Sequence, residues 1–256
     1  MKSAIKFLKY PGIKLILIRD IEKEFKESGC SIFIDVFGGS GSVSLNLSAS
    51  KIIYNDIDPE VASIFSAVKN HSEEFYSELC VMTESKEDFM SYENKPVDWK
   101  NRKVKDACLS FYRHNTSFGG KGETYGTEEK GSFQFFMKIF TNYAIISKKI
   151  RTFTVENKDF RDIFREYDSV DSFFYVDPPY PGKNWYNYEF SNEDMKDLKN
   201  VLKNTKGSYL INFNAEDDLH KQIFGNPQYV IKYDNRNSLP GTEYKYYSFY
   251  KRVKKS

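Results

Sequence analysis

Ile32-Phe33-Ile34-Asp35-Val36 is a short apolar run that breaks directly into Phe37-Gly38-Gly39-Ser40-Gly41-Ser42. Val43 to Leu47 then reads as the start of a helix. Ile52-Ile53-Tyr54 reads as a second strand, ending at Asn55-Asp56-Ile57-Asp58-Pro59. Strand, glycine turn, helix, strand and acidic end make the first half of a doubly wound, nucleotide-binding α/β sheet. Glycines let the backbone approach a ligand closely. Asp56, at the end of the second strand, can accept hydrogen bonds from both hydroxyls of a ribose, and its spacing from the glycines suits an adenosine moiety. A dinucleotide fits less well, because Gly39-Ser40-Gly41 lacks the third glycine and no pyrophosphate motif follows. A glycine turn without a ligand is the plain structural alternative.

Upstream, Tyr10-Pro11-Gly12-Ile13-Lys14 is a tight turn before a helix with Ile13, Leu17, Ile21 and Phe25 on its apolar face and Gly29 as its stop. Downstream, residues 60–69 read as a helix and the pattern then changes. Helical periodicity dominates 72–80, 85–92, 98–115 and 132–150, with core stripes such as Val104, Ala107, Cys108 and Phe111. Between the last two helices runs a glycine-rich loop, Asn115 to Gly126, with Arg113 just before it. A loop of this length inside a compact domain is usually functional or disordered. Its amides and hydroxyls beside Lys and Arg, with Ser117, Lys121 and Tyr125 among them, can follow a DNA groove.

After residue 150 the sheet resumes: Thr152 to Val155 as a strand, Phe160 to Phe164 as a short helix, 171–177 as a strand. That strand's apolar run, Phe173-Phe174-Tyr175-Val176, belongs in the buried middle of a parallel sheet. It ends in Asp177-Pro178-Pro179-Tyr180. Two prolines fix the backbone and withdraw two N–H groups. Carbonyls, the Asp177 carboxylate and the flat face of Tyr180 together suit a planar group that carries an NH2. Ser191 caps a further helix, Tyr209 to Phe213 is a strand, and Tyr229–Tyr233 and Tyr244–Tyr250 read as an antiparallel pair.

Forty per cent hydrophobic residues over 256 positions allow one large α/β domain or a domain with an insertion. Three scattered cysteines offer neither a disulfide framework nor metal spacing, so a reducing compartment is expected and no metal. No signal-peptide pattern or membrane-length apolar run is present, which predicts a cytoplasmic protein with no membrane partner. The net charge of +2 is unevenly divided: residues 95–165 hold 15 Lys and Arg against 8 Asp and Glu. A basic segment on an otherwise acidic chain suits a polyanion.

Four stretches, taken together and in this order, resemble the Dam-type DNA adenine-N6 methyltransferases: Tyr10-Pro-Gly-Ile-Lys14, Asp35-Val-Phe-Gly-Gly-Ser-Gly-Ser-Val43, Asn55-Asp56-Ile57 and Asp177-Pro-Pro-Tyr180. The resemblance implies a Rossmann-like methyltransferase sheet built from 1–71 and 151–256, with 72–150 as an inserted, mainly helical target-recognition subdomain. It implies S-adenosylmethionine as cofactor, leaving as S-adenosylhomocysteine, and double-stranded DNA as partner, in a prokaryotic cell or a phage-infected host. A companion restriction endonuclease is compatible with it, and the oligomeric state stays open. Tyr10, Lys14, Asp35, Phe37, Gly38, Gly39, Gly41, Asp56, Ile57 and Asp177 would meet the cofactor. Arg113-His114-Asn115 stands where family members carry Arg-x-Asn before the recognition loop, whereas Ser117 to Gly122 is less typical and leaves the target sequence unread. Asp rather than Ser at 177 favours adenine over cytosine N4 by the same analogy.

The chemistry agrees. An exocyclic adenine amine is a poor nucleophile because its lone pair is delocalised into the ring. If Asp177 and the Pro178 carbonyl each accept one of its N–H groups, that lone pair becomes available. Pro179 holds the turn and Tyr180 stacks on a base that has been flipped out of the duplex. No Pro-Cys nucleophile of the cytosine-C5 kind is present. Methylation of RNA or of a protein amide on the same scaffold is a second reading. The basic segment argues against protein and separates DNA from RNA poorly. A non-catalytic DNA-binding module is a third, against which the intact glycine loop, Asp56 and Asp177 to Tyr180 all stand.

Overall fold

The computed structural model describes residues 4–12, 14–82, 98–120, 122, 129–181, 188–216, 218–234 and 244–252. Their strands are β1 (Ile32–Asp35), β2 (Lys51–Asn55), β3 (Phe153–Glu156), β4 (Ser172–Val176), β5 (Ser208–Asn214), β6 (Tyr229–Asp234) and β7 (Tyr244–Arg252). They form one sheet in the order β3-β2-β1-β4-β5-β7-β6. The first five are parallel, and β7 runs antiparallel between β5 and β6. Strand order reverses between β1 and β4, which places the ligand crevice of such a sheet at their carboxyl ends. This is the Rossmann-like α/β sheet expected, and the two terminal strands pair antiparallel, as expected.

All five residues of β4 are buried. Side chains alternate across a strand, so one apolar run feeds two cores. Phe33, Tyr54, Phe173 and Tyr175 enter the larger, and Ile34, Ile53, Phe174 and Val176 the smaller. The larger core is covered by α1 (Ile18–Ser28), α3 (Pro59–Asn70), α4 (Ser72–Val81), α5 (Val104–Thr116) and α6 (Glu129–Ile150). The smaller is covered by α7 (Phe160–Tyr167) and α8 (Asn192–Asn204). Between β1 and β2 lies only the five-residue α2 (Ser42–Asn46), and α9 (Leu219–Phe224) precedes β6.

Two expected boundaries move. The first helix starts at Ile18 behind a 3-10 turn, Leu15–Leu17, although Leu17, Ile21 and Phe25 are buried as its periodicity requires. Gly29 ends it at φ 68°, a left-handed cap. The helix expected over 98–115 begins at Val104, because the Asp98 carboxylate accepts from the backbone of Lys100 and Asn101 and holds a turn there. The helix expected over 85–92 lies outside the described residues, as do Ile13, Lys121 and Tyr125. Among the described residues, no helix is long and apolar enough to cross a membrane.

Candidate functional site

A cleft opens at the carboxyl ends of β1, β2 and β4. One wall is the turn after β1. Gly38 N donates to Asn55 O at 2.7 Å, Gly39 N donates to Asp56 Oδ2 at 2.7 Å, and the Tyr54 hydroxyl donates to Gly39 O at 2.6 Å. Tyr54 and Phe65 stack beneath this turn at 4.1 Å. A Cβ on Gly38 would lie 2.3 Å from the Tyr54 ring, and one on Gly41 would lie 2.6 Å from Phe65. The glycines are therefore demanded from below, by aromatic packing. Gly41, expected at the ligand, sits at φ 65° at the start of α2 and is not part of the cleft wall.

Tyr10, Phe37, Gly38, Gly39, Asp56 and Ile57 do line the cleft, together with Asp35, Lys14 and Asp177. Asp56 is buried, and its second oxygen accepts from Asp58 N at 2.8 Å. It is thus the clasp of the glycine turn as well as a wall of the cleft. Burial pushes its carboxyl up to about 7, with the charge of Asp58 adding to the effect. Asp35 accepts from Ser44 Oγ at 2.6 Å and is likewise pushed up to about 7. Burial is the main cause, the Ser44 bond opposes it and the charge of Asp177 adds to it.

Lys14 also pairs with the end of β4. Its ammonium lies 2.7 Å from Asp177 Oδ2 and also donates to Gly12 O at 3.0 Å. It borders the cleft, but its charge is directed at the carboxylate at the end of β4. Asp177 Oδ1 accepts from Asn212 Nδ2 at 3.2 Å. Burial raises the Asp177 carboxyl above its ordinary value, and Lys14 and Asn212 both act against that rise. Pro178 is buried behind Asp177, and Pro179 lines the cleft. Tyr180 is half-buried, and its hydroxyl accepts from Asn214 N at 2.7 Å.

Two of the residues expected to touch DNA are internal. Asn115 is buried, accepts from Lys9 N at 2.7 Å and donates to Phe111 O at 2.8 Å. Ser117 is buried, donates to His114 O and accepts from Gly122 N at 2.8 Å. Both are corrected to residues that build the turn. Both side chains are buried among these partners, so neither presents an edge at the protein surface. Arg113 is half-buried and donates to Gly122 O, so it also braces this segment.

Asn212, Tyr175, Asp58 and Tyr188 belong to the site's surroundings and were not singled out from sequence. Asn212 had a legible signal: an amide inside the apolar strand Tyr209-Leu210-Ile211-Asn212-Phe213 needs a polar partner. Tyr188 bridges the cleft to an adjoining hollow walled by Phe37, Ile57, Phe160 and Phe190. Phe37 meets Phe190 edge-on at 5.6 Å there.

A family model described as D12 class N6 adenine-specific DNA methyltransferase matches residues 10–237. The type II methyltransferase M.MjaIII of Methanocaldococcus jannaschii is 28% identical, over 74% of this chain and 76% of that one. The type II methyltransferase M.CviBI of Paramecium bursaria Chlorella virus NC1A is 24% identical, over 88% of this chain and 90% of that one. The DNA adenine methylase of Salmonella typhi is 30% identical, over 46% of this chain and 40% of that one.

Proposed function

From membership of the D12 class N6 adenine-specific DNA methyltransferases, the family to which this chain belongs, we propose a mechanism in which Asp177 and the Pro178 carbonyl hold the adenine amine beside the β1–β4 cleft. The chain methylates adenine N6 in DNA; the donor, the site residues and the handling of the base are the proposal. The donor set fits S-adenosylmethionine. Asp35, Asp56, Asp58 and Asp177 surround the cleft with carboxylates, which suits a cation, and the hollow beyond Phe37 and Ile57 is walled by aromatics suited to a purine. When bound, that group supplies an electrophilic methyl on a positively charged sulfur.

The chain's own residues do the rest. Tyr10 and the Phe37–Gly39 turn wall the donor, and Asp56 presents a carboxylate to a ribose. Each Asp177 oxygen holds one donor in the structure, from Lys14 or from Asn212, and a carboxylate oxygen has a second lone pair. One of these can accept an amine N–H, so that placement and electrostatics carry the catalysis. Tyr180, its hydroxyl anchored on Asn214, offers a ring to a flipped adenine, a contact worth roughly 1–3 kcal/mol. Residues 1–71 and 151–256 form the catalytic part and 72–150 the target-recognition part. In the latter, the basic side chains, with Lys121 and Tyr125 of the loop, meet duplex DNA in the cytoplasm of a prokaryotic cell or a phage-infected host. The type II names of two relatives support a partnership with a restriction endonuclease.

The observation that carries this reading is Asp177, braced at the end of β4 on the rim of an acid-lined cleft. Purified protein is offered labelled S-adenosylmethionine with unmethylated plasmid, RNA or protein extract. Label is expected on plasmid adenines alone. Asp177→Ala is expected to abolish transfer with the thermal transition and S-adenosylhomocysteine binding retained. Full activity in that variant would overturn the catalytic assignment.

A further inference from the structure

Asn212 is a completely buried amide in the middle of the sheet, and the chemistry above gives it no role beyond one donor to Asp177. Its strand, β5, lies between β4 and β7, so its backbone is fixed from both sides. Val176 is in register with Ile211, which brings Asp177 alongside Asn212 one step further on. Tyr175, two residues before Asp177 and therefore on the same face of β4, donates its hydroxyl to Asn212 Oδ1 at 2.7 Å. Asn212 Nδ2 in turn donates to Asp177 Oδ1 at 3.2 Å.

The order of these bonds settles which way the amide points. A turned amide would set its oxygen against the Asp177 carboxylate, an acceptor against an acceptor, and would waste the Tyr175 proton. Lys14 reaches the other carboxylate oxygen from a separate segment, before α1. The Asp177 carboxylate is thus held at both ends, by a flexible ammonium on one and by a sheet-fixed amide on the other.

We propose that Asn212, oriented by Tyr175, is a positioning residue for methyl transfer. It fixes the plane of the Asp177 carboxylate, so that a lone pair faces the adenine amine. This rests on the proposed role of Asp177 as amine acceptor. A hydrogen bond to a charged group accounts for about tenfold to a hundredfold in rate when lost.

The test is a double-mutant cycle on plasmid methylation with Asn212→Leu, which keeps the side chain's approximate volume, and Tyr175→Phe, which removes only the hydroxyl. Asn212→Leu is expected to lower kcat by about tenfold to a hundredfold with little change in KM for S-adenosylmethionine. Tyr175→Phe is expected to lower kcat less, and to add almost nothing once Asn212 is gone. A second readout needs no turnover. In ligand-free protein carrying 13C at the aspartate γ-carbons, the Asp177 resonance, assigned through Asp177→Asn, is followed against pH. Losing the amide donor should move its titration upward. The groups that face Asp177 are Lys14, Asp35, Tyr175 and Tyr247, and none of them is altered in Asn212→Leu. An unmoved titration, or rate losses that simply add, overturns the proposal while the function stands. A wild-type protein that transfers no methyl to DNA, or an active Asp177→Ala variant, overturns the function and the positioning role together.

Discussion

Asp35 and Asp56 place two carboxyls of about neutral pKa against the cleft proposed for a cationic donor. In the ligand-free protein each is raised from 3.8, mainly by burial. The folded chain therefore keeps protons that the unfolded chain has already released between about pH 4 and pH 7. This contribution to stability falls as pH rises through that window and stays unfavourable above it. A cation in the cleft favours the ionised forms and reverses the penalty. S-adenosylmethionine is accordingly expected to bind more tightly at pH 8 than at pH 6, by up to about tenfold per carboxylate for each pH unit below 7. S-adenosylhomocysteine, without the sulfonium, should vary less. Calorimetry at pH 6 in buffers of different ionisation enthalpy should show proton release on binding. Equal affinities at the two pH values would mean that neither carboxyl faces the donor's charge.

The elements that wall the cleft were legible wherever an apolar run met a turn signal: β1, β2 and β4 emerge from Ile32–Asp35, Ile52–Tyr54 and Phe173–Val176. What sequence periodicity does not carry is how one segment is fastened to another far along the chain. The C-terminal end of α5 is the instructive case. Asn115 looks like a loop amide free to reach DNA, yet it accepts from Lys9 N at 2.7 Å. Beside it, Lys9 Nζ donates to Ser117 O at 2.9 Å, and His114 Nδ1 donates to Gly120 O at 2.8 Å. Gly120 has φ 77°, and a Cβ there would lie 2.7 Å from Lys9 O. The segment holding Tyr10, a wall of the cleft, is thereby sewn to the start of the glycine-rich loop. Asn115→Ala leaves a backbone N–H without its acceptor, at a cost of about 1–3 kcal/mol. It should lower both thermal stability and affinity for S-adenosylhomocysteine. A DNA-contacting asparagine would behave in the opposite way, losing DNA binding with cofactor affinity intact. Calorimetry and gel-shift assays on one preparation separate the two.

Across the whole molecule, periodicity sets 72–150 apart as helical and charge sets 95–165 apart as basic, and that contrast invites a picture of two bodies. The packing joins them. Phe111 of α5 stacks on Phe7 at 4.7 Å and meets Phe75 of α4 edge-on at 5.6 Å, while Phe7 meets Phe65 of α3 at 5.7 Å. Phe65 lies against Tyr54 of β2, directly under the glycine turn. One aromatic chain therefore runs from the helical segment to the floor of the cleft, and all of it lies in the core that also contains Phe33 and Phe173. No local pattern could show this, because its members come from five separated stretches. The consequence concerns cooperativity. Truncating a fully buried Phe in such a core costs about 3–5 kcal/mol, and where the core is shared the loss falls on the whole fold. Phe111→Ala is expected to shift a single urea transition to lower concentration, with far-ultraviolet circular dichroism and aromatic fluorescence remaining coincident. Two separable transitions, with only the helical one displaced, would show that the segments fold independently. In the shared-core case, S-adenosylhomocysteine should raise the midpoints of the variant and the wild type alike, since ligand bound at the sheet stabilises every residue that unfolds with it.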